Sequence, residues 1–496
     1  MNPNHLGERL PPPEPSRREL MGGFAAALGA VLFSRKAEAA QPRPPRPPRP
    51  KSTTANIIDY GAAEGGFDCT QAFKRAFAVN AVVQVPAGTF AAKQIHIPAN
   101  KTLLTAGPET VIQQLPHQPS GTSLIRVMGS NVTIGSFTAA GNIASDMHEW
   151  MHSIEVKANA DTGNLSNVVI GDIFGRNVRG DVICLSAIPG FTLQSVSLGN
   201  ISGDNVYRNV VTIAGTSPSN ANIQIASIRG QRVGLYHFDI EPDDTSPPVI
   251  GVTVGEIVGR NVGVVGPNAA AFVDAVSIRS LDLSPDCGGS SPDYITTDHT
   301  RPHGLQVRNS KNLSISSLKA RGLAGQAIKF IDSTLPTMTM HITSCEIIEC
   351  ARTETTYRAY ILGKRTQSSI IIDRLHLSLD RPELIGMLLC DGAKVGSVTG
   401  AFAPGSRFLN DSSGAQFSSL QIDAPEAILA INTNGAVFSG GNANVLRLGY
   451  NCDKLRFQNM TLTGSCIGGS ATQEHYFEKT TLNGTYYENE VHRPAA

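Results

Sequence analysis

The sequence predicts an all-β chain wound as a parallel β-helix, and three observations carry that expectation. From about residue 120 one pattern repeats: a short strand alternating polar and apolar residues, a turn, another short strand, another turn, at intervals of about 25–35 residues, as stacked repeat units do. Glycine is abundant, at 48 of 496 residues, and charged residues make up only 17%, against about a quarter in an average domain. One segment alone, "DCTQAFKRAFAV", carries helical periodicity. A β-sandwich would also be all-β, but Asn-Gly signals between paired strands are scarce.

In chain order, residues 1–39 read as an export signal. "SRRELMGGFAAALGAVLFSRKAEAA" has an arginine pair, Arg17 and Arg18, and then an apolar run from Gly22 to Phe33 that is too short for a stable membrane span. Small residues follow that suit cleavage after about Ala39. The segment resembles a bacterial twin-arginine (Tat) signal, which implies export of the folded protein through the Tat translocon to the periplasm or beyond. No membrane span is expected in the mature chain. Residues 40–52 include "QPRPPRPPRPK", a stiff polyproline linker. The β-helix is expected over 53–470, with a C-terminal tail over 471–496. Lysines plus arginines equal aspartates plus glutamates at 41 each, so no basic field favours nucleic acid. The eight cysteines include no C-x-x-C pair, and several sit in apolar strand contexts as buried thiols.

The segment "NIIDYGAAEGGFDCTQAFKRAFAV" and the following "VVQVPAGTF" resemble the opening of the pectate-lyase-like superfamily. The match lies at Gly61, Ala62, Asp68, Thr70, Ala72, Phe73, Pro86 and Gly88. The family's G-D-G is replaced by "EGG" and its second aspartate by Cys69. The resemblance implies a right-handed parallel β-helix whose first coil is capped by a short helix. It does not fix a reaction.

Two sets of strands follow. The first contains "SNVTIGSF", "LSNVVIGDI", "NANIQIASI" and "KNLSISSL"; the second contains "SIEVK", "DVICL", "NVVTI", "FDIEP", "AVSIR", "GLQVR" and "AIKFI". Stacking the second set on its inward pairs aligns Ile154/Val156, Ile183/Leu185, Val211/Ile213, Phe238/Ile240, Val276/Ile278, Leu305/Val307 and Ile328/Phe330. The outward column between these pairs then reads Glu155, Cys184, Thr212, Asp239, Ser277, Gln306 and Lys329. Two residues earlier it reads His152, Asp181, Asn209, Tyr236, Asp274, His303 and Gln326. Glu241, Arg279 and Arg308 lie in a later column.

"YHFDIEPDD" therefore sets Asp239 and Glu241 on one exposed sheet face, about 6.5–7 Å apart. Carboxylates, imidazoles, amides and arginines together suit a glycan. Acids and amides bind its hydroxyls, and cleavage of a glycosidic bond needs a proton donor opposite a base. The expected catalytic residues are Asp239, Glu241 and Asp181. Arg208, Asn209, His152, Asp274, His303 and Lys329 are expected to bind substrate. This predicts an exported glycoside hydrolase, polygalacturonase-like in kind. The rivals are a polysaccharide lyase or uronate epimerase, and a non-catalytic glycan-binding or structural β-helix.

Three motifs are decoys or side issues. "HEWMH", His148 to His152, fits the H-E-x-x-H zinc-protease pattern, but that chemistry needs a helix and a strand follows here. These residues read better as a groove rim that includes Trp150, the single tryptophan. "EPDD" offers Asp243 and Asp244 to calcium, with a solvated turn as the alternative; no other cofactor or metal is expected. "DYITTDHTRPHG" reads as a loop beside the cleft, with His303 its one candidate.

Overall fold

The computed structural model describes residues 54–144, 148–284, 303–353, 357–365, 368–463 and 474–492. The proposed signal and linker lie outside these residues, as do Cys287, Cys466 and most of the loop before His303.

The chain is a right-handed parallel β-helix. Strand Thr54–Asn56 opens it, and helix α1, Thr70–Val79, caps the first coil. α1 buries Ala72, Phe73, Ala76 and Phe77, a one-sided stripe of the kind that packs a surface helix onto a core. Asp68 accepts the Thr70 N–H through Oδ1 at 3.0 Å and pairs with Lys93 at 3.3 Å. Gly61 takes φ +88° after the short 3₁₀ turn Ile57–Tyr60, a left-handed position that suits glycine. These residues carried the resemblance, and each has a structural task.

Strands then stack in parallel register, coil on coil. In the sheet that matters below, Ile154 pairs with Ile183, Ile183 with Val211, and Val211 with Phe238. Phe238 pairs with Val262, Val262 with Leu305, and Leu305 with Ile328. All seven are fully buried. The expected stack thus holds on six of its seven rungs. Val276/Ile278 is the exception: it belongs to a different sheet, paired with Val252/Val254 on one side and, at Ile278, with Ile315 on the other. The true rung is Val262/Val264, disguised in sequence because its outward residue is Gly263.

Toward the C-terminus the interior fills with stacked aromatic rings. Phe408 meets Phe417 tilted at 5.1 Å, and Phe417, Phe438, Phe457 and Phe477 then stack at centroid separations of 5.1–5.4 Å, within the range of aromatic pairing. The expected tail is folded. His475–Leu482 continues the parallel stack on Leu455–Thr463, and Thr485–His492 turns back antiparallel on it. Asn483 and Gly484 join the two at φ 46° and 83°, both positive as a two-residue hairpin turn requires.

Candidate functional site

The turns that enter the site-bearing sheet build a polar ladder. His152, Asp181, Asn209 and Tyr236 stand at equivalent positions, each two residues before the first inward residue of its strand. The side chains of the first three each serve the backbone of the next coil. The Asp181 N–H donates to His152 Nδ1 at 3.0 Å, the Asn209 N–H to Asp181 Oδ1 at 3.1 Å, and the Tyr236 N–H to Asn209 Oδ1 at 2.9 Å. Repetition along the helix axis gives each buried turn amide a partner.

The outward column beside the ladder reads Glu155, Cys184, Thr212, Asp239, Gly263, Gln306 and Lys329. Asn209 ties ladder to column: its Nδ2 donates to Thr212 Oγ1 at 2.9 Å and lies 3.4 Å from Asp239 Oδ2. The Asp239 carboxylate packs over Gly263 and takes the place of a side chain there: a Cβ would come within 2.6 Å of Asp239 Oδ1. The Tyr236 ring borders the same space. Burial raises the Tyr236 phenol far above its ordinary value, and the nearby Asp239 and Glu241 raise it further. It stays protonated at any working pH.

The expected exposed face is not exposed. Asp181 and Asn209 are 0% accessible, Asp239 3%, and His152 and Arg208 4%. Glu241 and Lys329 are half-buried. The reason is the ladder, whose members turn their polar atoms along the helix axis toward neighbouring coils. Trp150 adds cover: the Arg208 guanidinium lies 4.4 Å from its ring centroid, and its ring meets His152 edge-on at 6.4 Å. Trp150 and His148 of the expected rim are exposed, while His152 lies inside.

Asp181 sits between two cations. Arg208 Nε is 3.5 Å from Oδ1 and His152 Nδ1 is 3.2 Å from Oδ2. Burial alone would raise the Asp181 pKa, but Arg208 and His152 hold it below the ordinary carboxylate value. Burial would likewise lower His152, and Cys184 and Asp181 push it instead up to about 10. Asp181 is therefore a fixed anion.

Asp274 is not part of this group. It lies on the other sheet with Val276, opposite Ile250 and Lys311, and accepts the Asn312 amide. Ser277 and Arg279 leave the column with it; the ladder position assigned to Asp274 belongs to Arg260, two residues before Val262. His303 keeps its ladder position, its N–H donating to Asn261 Oδ1 at 2.7 Å. It stands two rungs beyond Asp239, and Lys329 three, about 10 and 14 Å along the axis. Residues 148–152 form no helix, so the zinc-protease pattern fails on geometry. Sequence reasoning passed over Tyr236, Gly263 and Cys184 as site residues. Tyr236 and Cys184 stood in the right columns, whereas Gly263 shows its role only in how Asp239 packs over it.

No family model and no curated protein matches the chain. Among solved structures it is similar to the A-module of the Azotobacter vinelandii mannuronan C-5 epimerase AlgE6, with 14% identity over 86% of this chain and 99% of that one and a TM-score of 0.29. It is similar to an exopolygalacturonase from Thermotoga maritima, with 13% identity over 91% and 96% of the two chains and a TM-score of 0.23. A tailspike of Acinetobacter phage vb_AbaP_AS12 shows 10% identity over 89% and 65%, with a TM-score of 0.38. At these values no residue's role is carried over from them. The chain has a right-handed parallel β-helix fold.

Proposed function

We propose that the protein acts on a polysaccharide as a glycoside hydrolase, with Asp239 and Glu241 supplying the proton donor and its partner. The observation that supports this reading is the pair of carboxylates itself: Asp239 packs over Gly263, which has no side chain to displace it, and Glu241 follows one alternation further along the same face. A donor protonates the departing glycosidic oxygen while the partner draws a proton from the attacking water, which inverts the anomeric centre when the two carboxyl groups stand about 6.5–9.5 Å apart. Asp181, held ionised by Arg208 and His152, carries no proton to donate. We assign it, with Arg208 and Asn209, to positioning: Asn209 holds both Asp181 and Asp239. Export by the Tat route to the periplasm or beyond belongs to the same proposal.

A second reading, lyase or uronate epimerase, is favoured by Tyr236. A phenol kept protonated beside a carboxylate is a proton donor to a carbanion formed next to a uronate carboxyl group. A panel of neutral and acidic polysaccharides separates the readings. New reducing ends without ultraviolet absorbance support the hydrolase. An unsaturated-uronate chromophore supports the lyase, and epimerised residues without cleavage support the epimerase. Retention on a polysaccharide column with no product at all refutes both enzymes and leaves a binding protein. Asp239→Asn is expected to lower the rate at which whichever product appears by about 10²–10⁴.

A further inference from the structure

His152, Asp181 and Cys184 bring one ligand atom each to within 4.8 Å of one another, and all three residues are buried. Among the described residues no other group of three His, Cys, Asp or Glu side chains converges in this way. The fold creates the cluster: His152 and Asp181 are successive ladder members, and Cys184 is the outward residue of the Ile183–Ala187 strand that Asp181 leads into.

A second feature sits inside it. Asp181 Oδ2 is buried and accepts no hydrogen bond. His152 Nδ1 lies 3.2 Å from it and 3.0 Å from the Asp181 amide nitrogen. A protonated Nδ1 cannot accept from the amide, and an unprotonated one cannot donate to the carboxylate, so no single state of the ring satisfies both contacts. Either state leaves one buried polar group unpaired, which costs free energy.

We propose that this cluster is a binding site for a divalent transition-metal ion of the zinc type, held by Asp181 Oδ2, Cys184 Sγ and one ring nitrogen of His152. The donor set decides the class. One thiolate, one imidazole and one carboxylate suit zinc and its neighbours, whereas calcium and magnesium require oxygen cages. Arg208 approaches the opposite oxygen, Oδ1, at 3.5 Å, so the carboxylate can bridge guanidinium and metal. When the metal binds at the ring nitrogen nearest Oδ2, the Asp181 amide gives up its bond to that nitrogen. Three protein ligands leave a fourth position for solvent or substrate. Of the three, Cys184 is the least deeply buried, at 9% exposure against 0% for Asp181.

The test uses the full-length protein stripped of metal by a chelator and titrated with cobalt(II). One equivalent is expected to give a thiolate-to-cobalt charge-transfer band, which zinc then quenches by displacement. Zinc, but not calcium or magnesium, is expected to raise the melting temperature, since an ion bound only by the folded state stabilises it. Cys184→Ser is expected to remove the band while its circular dichroism stays that of wild type. Cys184→Ala serves as the second variant should serine disturb packing. A band that survives in both variants places the metal on other cysteines and overturns the proposal. No band in the wild type, or an equal response to calcium, overturns it too, and leaves the imidazolium proton as the cation that Asp181 faces.

Discussion

Gly263→Ala adds one methyl group in front of Asp239 and changes little else. Gly263 is not among the glycines with positive φ, so its backbone accepts alanine without strain. The new Cβ would sit 2.6 Å from Asp239 Oδ1 but an ordinary 3.5 Å from the Tyr236 ring. Only the carboxylate is pressed, and it must retreat by about 0.8 Å to reach ordinary contact. A displacement near 1 Å of a reacting group costs about 10² in rate, so turnover on a cleaved polysaccharide is expected to fall about 100-fold. Overpacking a filled interior costs about 1–3 kcal/mol, and the low end is expected here because the pressed atom ends a side chain. The assay is initial-rate release of reducing ends at saturating polysaccharide, read beside a thermal melt of the same sample. Wild-type turnover with a lowered melting temperature would refute the reasoning, because Gly263 would then serve packing alone.

Three further predictions follow from the same structure. Asp239→Asn and Glu241→Gln keep shape and remove the titrating proton, so each is expected to lower turnover by about 10²–10⁴; wild-type rates in both would move the catalyst elsewhere. His237 is buried and held neutral, burial depressing its pKa to about 4 against the ordinary 6.5 despite its bonds to Gly230 and Arg260. The unfolded chain therefore binds the extra proton first, and stability present above pH 6.5 is lost as pH falls toward 4, by about 3 kcal/mol at most. Urea melts across that window should show the slope, and His237→Gln should flatten it; an unchanged slope in the variant assigns it to other groups. Arg17→Lys with Arg18→Lys should hold full-length protein in the cytoplasm of a Tat-competent bacterium, whereas unchanged periplasmic yield points to the general secretory route.

The sequence by itself determined the winding of the chain. Period-two alternation repeated coil after coil specifies which residues face inward, and six of seven rungs stacked as their apolar pairs required. It determined helix α1 through the Ala72, Phe73, Ala76, Phe77 stripe. It also held the terminal hairpin in plain view, because Asn483-Gly484 is a turn signal set between two alternating runs and only its assignment to a tail hid it. Tertiary structure decided the rest. Val262-Gly263-Val264 has no outward side chain to mark it as a rung, so the longer AVSIR run took its place, and Asp274 and Arg279 went with it to the wrong sheet. Alternation says which face a side chain leaves from, but not what covers that face. Only the stacked coils show His152, Asp181 and Asn209 bonding along the axis and Trp150 lying over Arg208. A column expected to be wet thereby becomes a buried ladder, in which Asp181 is a fixed anion and Asp239 packs over Gly263.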